Sequence, residues 1–163
     1  GLSYPGGPEI DRLAKEGNPK AYHFARPMLN QDNDDFSFSG LKTSVRYYLE
    51  KNPSILHQND KLPDLCASIQ AAIVEVLLKK TIRAAKQTNS KYITISGGVA
   101  RNSHLRSEFI RECNGREIVL KIAAPNMCTD NAAMIGLLAQ IMYEKGNLSN
   151  CFDEDIKPNW GIN

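Results

Sequence analysis

The sequence predicts an α/β domain, helix-rich with a few parallel strands, and three observations carry that prediction. Two strand-to-helix junctions, GGVARNSHLR at 97–106 and CTDNAAMIG at 128–136, stand one crossover unit apart, with Asn102 and Asp130 separated by 28 positions. A strand that feeds a helix and is followed by a second strand doing the same is the repeat of a parallel sheet. The third observation is a long periodic run from Asp64 to Gln87, whose AAIVEVLL core is apolar nearly all round and therefore needs burial on more than one side.

At 163 residues, with 42% hydrophobic and 23% charged, the composition is that of an ordinary soluble domain with a real core. The net charge of +2 is too small to indicate nucleic-acid binding by itself. Cys66, Cys113, Cys128 and Cys151 form no CxxC pair and no zinc-like spacing, so free thiols in a reducing cytosol are expected. No run of about 18 apolar residues and no basic-then-apolar leader occurs, so nothing addresses the chain to a membrane and a cytoplasmic setting is expected.

In chain order, Pro5-Gly6-Gly7 reads as a turn and Pro8 as the first position of a short helix buried through Ile10, Leu13 and Ala14. Residues 18–35 are polar, with two prolines and an NQDNDD cluster, and read as a surface loop pinned by Tyr22, Phe24, Met28 and Leu29. His23 reads as a packing residue. Phe36 and Phe38 alternate in a short extended piece that enters a helix near Ser39 with Leu41, Val45, Tyr48 and Leu49 on its stripe. Asn52-Pro53 ends that helix, because the residue before proline avoids helical backbone.

In the 64–87 helix, Leu65, Ile69, Ile73, Val76 and Leu77 share a face, and the helix reads as the spine of the domain. At its far end Lys79, Lys80, Arg83 and Lys86 share another face, favoured as a solvated helix end whose cations suit the dipole, with a tRNA backbone contact as the minority reading.

Tyr92 to Ser96 reads as a buried strand that stops at Gly97-Gly98 and passes into a helix opening near Asn102. Paired glycines admit a ligand close to the backbone, and a helix start directs unpaired N–H groups at the same place, which suits an anion or a sugar edge. An ordinary turn whose glycines only relieve crowding is the alternative. Leu105, Phe109 and Cys113 bury that helix and Gly115 closes it, with His104 to the side of the cleft and without a catalytic role. Ile118 to Ala123 reads as the next strand. Thr129 or Asp130 then caps a helix that buries Ala132, Ile135, Leu138, Ala139 and Met142 and stops at Lys145-Gly146. The tail beyond, with the only tryptophan, reads as a surface strap.

Four blocks, YPGGPEIDRLA, DFSFSGLKT, GGVARNSHLR and CTDNAAMIG, occur in that order from Tyr4 to about Gly136. Together they resemble the TsaD family, the tRNA adenosine threonylcarbamoyltransferases formerly described as O-sialoglycoprotein endopeptidases (glycoproteases). The resemblance is to the carboxyl-terminal half of that family alone. It implies part of an actin/Hsp70/sugar-kinase-like (ASKHA, RNase H-like) lobe, a single partial lobe over 1–163 in which 18–90 is a helical insertion and 91–146 a strand-helix-strand-helix part carrying the site. A chain that opens at Gly1, without methionine and inside a motif, is expected to be a fragment.

By resemblance the intact protein is a tRNA-modifying transferase, moving the threonylcarbamoyl group from threonylcarbamoyl-adenylate to an adenosine of tRNA next to the anticodon. The fragment alone is expected to be inactive. The resemblance places Gly7 and Asp11 on the adenosine of the substrate, where a carboxylate can accept from two ribose hydroxyls. It makes Asn102 a substrate-binding residue, against an ordinary reading as a helix cap worth about 1 kcal/mol. It makes Asp130 a metal ligand, the metal being a divalent ion and by resemblance iron, completed by an HxxxH pair. His23, His57 and His104 lack that spacing, so an incomplete metal site is expected. No catalytic residue is assigned.

The resemblance implies that the metal polarises the carbamoyl carbonyl or orients the adenylate while the tRNA amine attacks. Threonylcarbamoyl-adenylate or an adenine nucleotide, tRNA, a paralogous subunit and an ATPase subunit are the implied partners. A Ser-His-Asp or Cys-His arrangement is missing, which argues against a peptidase. A sugar kinase of the same fold and a non-catalytic subunit-binding module are the alternatives.

Overall fold

A computed structural model describes residues 2–58 and 60–147. The chain divides into two compact units, Gly1–Thr129 and Asp130–Asn163. The first unit holds helices α1 (Gly6–Ala14), α2 (Ser39–Lys51), α3 (Leu62–Gln87) and α4 (Ser103–Asn114), with strands β1 (Tyr92–Ile95) and β2 (Val119–Ile122). The described part of the second unit is helix α5 (Ala132–Glu144). Most predicted boundaries fall within two residues of these; the first helix opens at Gly6, which leaves Pro8 in its third position, where its missing N–H is still one of the unpaired donors of the first turn.

α3 is the spine of the first unit because its apolar residues face three ways. Toward one side Val74, Leu78, Ile82 and Ala85 pack with Ile93 of β1 and Leu105, Phe109 and Cys113 of α4. Toward another, Leu65 and Ala72 meet Phe24, Leu41 and Ile55. Cys66 and Ala67 meet Ala14 of α1. An all-round apolar stretch is thus accounted for by separate packing on three sides. Phe24 is the buried pin of the 18–35 loop, and its ring meets Tyr48 edge-on at 5.6 Å.

At the start of the spine the chain comes so close that Gly17 cannot carry a side chain. A Cβ there would lie 2.1 Å from the Pro63 carbonyl oxygen. The Asn18 N–H donates to Asp64 Oδ1 at 2.6 Å, and the Ser68 hydroxyl accepts from Tyr22 N–H at 3.1 Å.

β1 and β2 pair in parallel, Tyr92 opposite Val119 through Ile95 opposite Ile122, joined by the α4 crossover. β1 is half-buried rather than buried: Ile93 faces the core while Tyr92 and Thr94 are exposed, because among the described residues helices cover one face of the pair. Phe36 and Phe38 are likewise exposed, and the packing of their segment comes from Leu41 onward. His23 is exposed, not packed.

α5 departs furthest from expectation. None of its residues is buried, and Ile135, Leu138 and Met142 are 67%, 54% and 44% exposed. The described part of its unit is one helix, which cannot bury its own apolar stripe. Of the cysteines, Cys66, Cys113 and Cys128 are buried free thiols, and burial pushes the Cys66 and Cys113 thiols up. Cys151 and the tail strap lie outside the described residues.

Candidate functional site

The carboxyl ends of β1 and β2 point the same way, and one side chain ties together the turns that leave them. Arg106, on the first full turn of α4, donates to the Ala100 carbonyl at 2.7 Å and to the Ala123 carbonyl at 3.1 Å. A planar guanidinium suits this, since its donors fan out in a fixed fork. Before α4 the chain passes through a short 3-10 turn, Gly98–Arg101, entered at Gly97 with φ of 86°, a left-handed conformation natural to glycine.

Asn102 is the cap of α4. Its Oδ1 accepts from the Leu105 N–H at 2.8 Å, and its Nδ2 donates to Gln70 Oε1 at 2.6 Å. These two bonds fix one another: the backbone N–H requires the amide oxygen, so the amide nitrogen must face α3 and Gln70 must answer with its oxygen. Gln70 is 6% exposed. The cap is therefore anchored in the core of the spine helix.

Asp11, the acid of α1, reaches across 92 positions to the same helix start. Its Oδ1 accepts from the Ser103 hydroxyl at 2.9 Å, and both carboxylate oxygens lie 3.2 Å from the Ser103 N–H. A carboxylate on a helix N-terminus is favoured by the dipole and by the unpaired donors there. This revises the expectation of an anion seat at α4: Ser103 N–H is taken by Asp11 and Leu105 N–H by Asn102, so the chain's own acceptors take two of the N–H groups of the turn. Gly7 lies in the first turn of α1, four residues before Asp11, and a Cβ built on it meets nothing within 4 Å. The same openness holds at Gly98.

The structure thus brings Asp11 and Asn102 onto one helix start, with Gly7 on the helix that carries Asp11. Asp130 opens the second unit. Neither it nor Thr129 caps α5; Asn131 does, its Oδ1 accepting from the Met134 N–H at 3.1 Å. Nor does the helix follow the strand directly, for residues 123–131 lie between β2 and α5 and include the 3-10 turn Pro125–Met127. Among the described residues no group of three His, Cys, Asp or Glu side chains comes together as a metal site. One carboxylate does not hold a divalent ion tightly, so these residues alone do not fit the implied metal.

The basic end of α3 also differs from its sequence reading. Lys80 is no solvated cation: it is 1% exposed and donates to the Met28 carbonyl at 2.9 Å and to Asn33 Oδ1 at 3.2 Å. Arg83 donates to the Gln31 carbonyl at 2.8 Å, to the Asn33 carbonyl and to Asp34. Both hold the polar loop in place. Lys79 bonds Glu75, which also accepts from Arg26 at 3.0 Å. Those neighbours, Lys79 first, hold the Glu75 carboxyl below the usual range against the opposing effect of burial.

Sequence reasoning missed Gln70, Ser103 and Arg106. Gln70 left a signal, a polar side chain inside an apolar helical run, whereas Ser103 and Arg106 act through partners 92 and 17 positions away that no local pattern announces.

The sequence profile of the TsaD family, described as tRNA N6-adenosine threonylcarbamoyltransferase, matches residues 1–137, and the chain belongs to that family. Among curated relatives, a protein named tRNA N6-adenosine threonylcarbamoyltransferase from Geotalea uraniireducens is 47% identical over 162 residues, which cover 99% of this chain and 47% of the relative. Proteins of the same name from Thermosipho africanus and Clostridium perfringens (strain SM101) are each 46% identical, across 99% and 98% of this chain and 48% and 46% of their own lengths. The chain spans about half the length of the curated relatives it matches.

Proposed function

We propose that this chain carries the adenosine-holding part of a transferase that moves a threonylcarbamoyl group from its adenylate to an adenosine of tRNA next to the anticodon. The observation that supports it most is the meeting of Asp11 and Asn102 at the start of α4, across 92 positions, through Ser103. Two side chains that the family resemblance assigns to the nucleotide, far apart in sequence, are neighbours. Asp11 retains acceptor capacity beyond its bonds to Ser103, which suits ribose hydroxyls as donors. Gly7, open on its Cβ side, leaves room for a nucleoside against the backbone.

The reading includes a lobe of the actin and sugar-kinase type and, as partners, tRNA, a paralogous subunit and an ATPase subunit. It also includes a divalent ion, iron by resemblance, with Asp130 as one ligand. Among the described residues no complete ligand set for that ion comes together.

The test is calorimetric titration of the chain with adenosine monophosphate, beside Asp11→Asn and Asn102→Asp, two changes that preserve shape. A loss of at least about tenfold in each, roughly 1.4 kcal/mol, supports the site. Binding that is equal in all three refutes these roles, and absence of binding refutes a nucleotide site complete within this chain.

A further inference from the structure

Gln70 stands on a face of α3 where α1 and α4 converge. Three and four residues before it, Ala67 and Cys66 pack with Ala14 of α1, the helix that carries Asp11. Four residues after it, Val74 packs with Leu105 and Phe109 of α4. Positions at those spacings are neighbours on one side of a helix. Gln70 therefore lies between the two helices whose meeting brings Asp11 onto Ser103.

The residue is 6% exposed, and a buried amide is costly unless its polar atoms are hydrogen-bonded. One half of the amide is satisfied, for Oε1 accepts from Asn102 Nδ2 at 2.6 Å. Its orientation is imposed from the backbone. The Leu105 N–H demands the oxygen of Asn102, the nitrogen of Asn102 then faces Gln70, and Gln70 answers with oxygen, which leaves Nε2 as the far end of the relay. That nitrogen has no hydrogen-bond partner among the described residues, yet it is not sealed in. Arg83 Nε is the one side-chain nitrogen or oxygen among them that is both closed to solvent and unpartnered. A largely buried glutamine thus presents two N–H donors at a reachable position beside the start of α4.

These donors complement Asp11. The carboxylate only accepts, which suits the hydroxyls of a nucleoside, and its charge disfavours an anion close by. The match for Gln70 is then a neutral acceptor, and on a purine base the neutral acceptors are the ring nitrogens. We propose that Gln70 is a further ligand-binding residue of this site, donating through Nε2 to a ring nitrogen of the purine. This rests on the adenosine-holding reading above and adds to it a residue that recognises the base, as Asp11 recognises the sugar.

The experiment is calorimetric titration of the chain with adenosine and with its 1-deaza, 3-deaza and 7-deaza analogues, each of which has C–H in place of one acceptor nitrogen. In the wild-type chain one analogue should bind about fivefold or more weakly than adenosine, through loss of a hydrogen bond whose donor is left unpaired. Gln70→Met removes the amide at similar volume. Gln70→Glu, titrated at about pH 8, still accepts from Asn102 but cannot donate. Both should weaken adenosine about fivefold or more, and in both the sensitive analogue should bind within about twofold of adenosine. That ratio is the decisive readout: a Gln70 that only braced Asn102 would lower adenosine and its analogues alike and leave the ratio as in the wild type. The two variants burden the fold differently, one by leaving the Asn102 amide without its acceptor and the other by burying a charge, so loss of the ratio in both is not a folding defect.

Equal binding of adenosine and all three analogues by the wild type, unchanged adenosine binding in the variants, or a ratio preserved in either of them overturns the proposal. Adenosine binding that Asp11→Asn and Asn102→Asp weaken, with the ratio preserved in the Gln70 variants, removes Gln70 alone. Absence of adenosine binding by the wild type removes both Gln70 and the nucleoside site.

Discussion

Replacing Asn102 by alanine tests whether its side chain is as deeply engaged as its geometry indicates. The change removes the cap bond to the Leu105 N–H at 2.8 Å, worth about 1 kcal/mol. It also strips the 2.6 Å donor from Gln70, a buried residue of α3, and an orphaned buried polar group costs about 1–3 kcal/mol. The expected loss is therefore about 2–4 kcal/mol, read as a shift of the urea midpoint by far-UV circular dichroism. Asn102→Asp preserves the acceptor for Leu105, and Gln70 can turn its amide to donate, so that variant should stay within about 1 kcal/mol of wild type. Combining Asn102→Ala with Gln70→Leu should cost clearly less than the two single losses added together, since neither partner is then left unpaired. A loss below about 0.5 kcal/mol for Asn102→Ala, or equal losses for the Ala and Asp variants, refutes the coupled cap. The result also governs the binding experiment, because an alanine at 102 that loosens α4 would lose nucleotide for a structural reason.

Gly17→Ala should destabilise by about 1–3 kcal/mol or more, since its Cβ would meet three backbone atoms, at 2.1, 2.3 and 2.7 Å, that no rotamer change can move; urea denaturation checks it. Lys80→Met should leave the Met28 carbonyl and Asn33 without their ammonium donor, and limited proteolysis should cut faster between residues 28 and 35 than in wild type. The Glu75 carboxyl has a lower pKa folded than unfolded, so its contribution is present above the unfolded value near 4.5 and is lost as pH falls through the folded one. Glu75→Gln should accordingly lower stability at neutral pH and flatten its decline as pH falls through and below the unfolded value near 4.5, measured as urea midpoint against pH.

The sequence was most legible where structure follows local periodicity. The many-sided burial of α3, the Leu105, Phe109 and Cys113 spacing of α4 and the stop at Asn52-Pro53 lie where patterning placed them, whereas the five α3 residues read as one face are split, Leu65, Ile69 and Ile73 packing toward Phe24 and Leu41 and Leu77 toward Ile93 and Leu105. It was least legible where a residue's environment depends on distant chain. Lys80 looked like its neighbours Lys79 and Lys86, yet the loop 47–52 positions earlier folds over it and accepts its hydrogen bonds. The α5 stripe was read correctly as apolar, yet none of it is buried among the described residues, because periodicity reports which face seeks cover and not what supplies it. The cap of α5 slipped by one residue, to Asn131, since Thr, Asp and Asn are near-equal capping residues and only backbone geometry separates them.

What occupies the start of α4 bears on what kind of ligand the site accepts. A helix N-terminus with free N–H groups invites phosphate; here a carboxylate already sits on it, and Asn102 caps the next donor. A phosphate brought to about 4 Å from Asp11 would meet a like charge at roughly 4 kcal/mol for an effective dielectric near 20. A ribose would instead find an acceptor for its hydroxyls. The transferase reading therefore expects Asp11 to select the nucleoside end of the adenylate. Adenosine and adenosine monophosphate should bind the chain within a few-fold of each other, while 2′-deoxyadenosine should bind about tenfold or more weakly through loss of a charge-assisted hydrogen bond. Monophosphate binding more than thirtyfold tighter than adenosine, or indifference to the 2′-hydroxyl, would place the anion at this turn and remove Asp11 from the ribose.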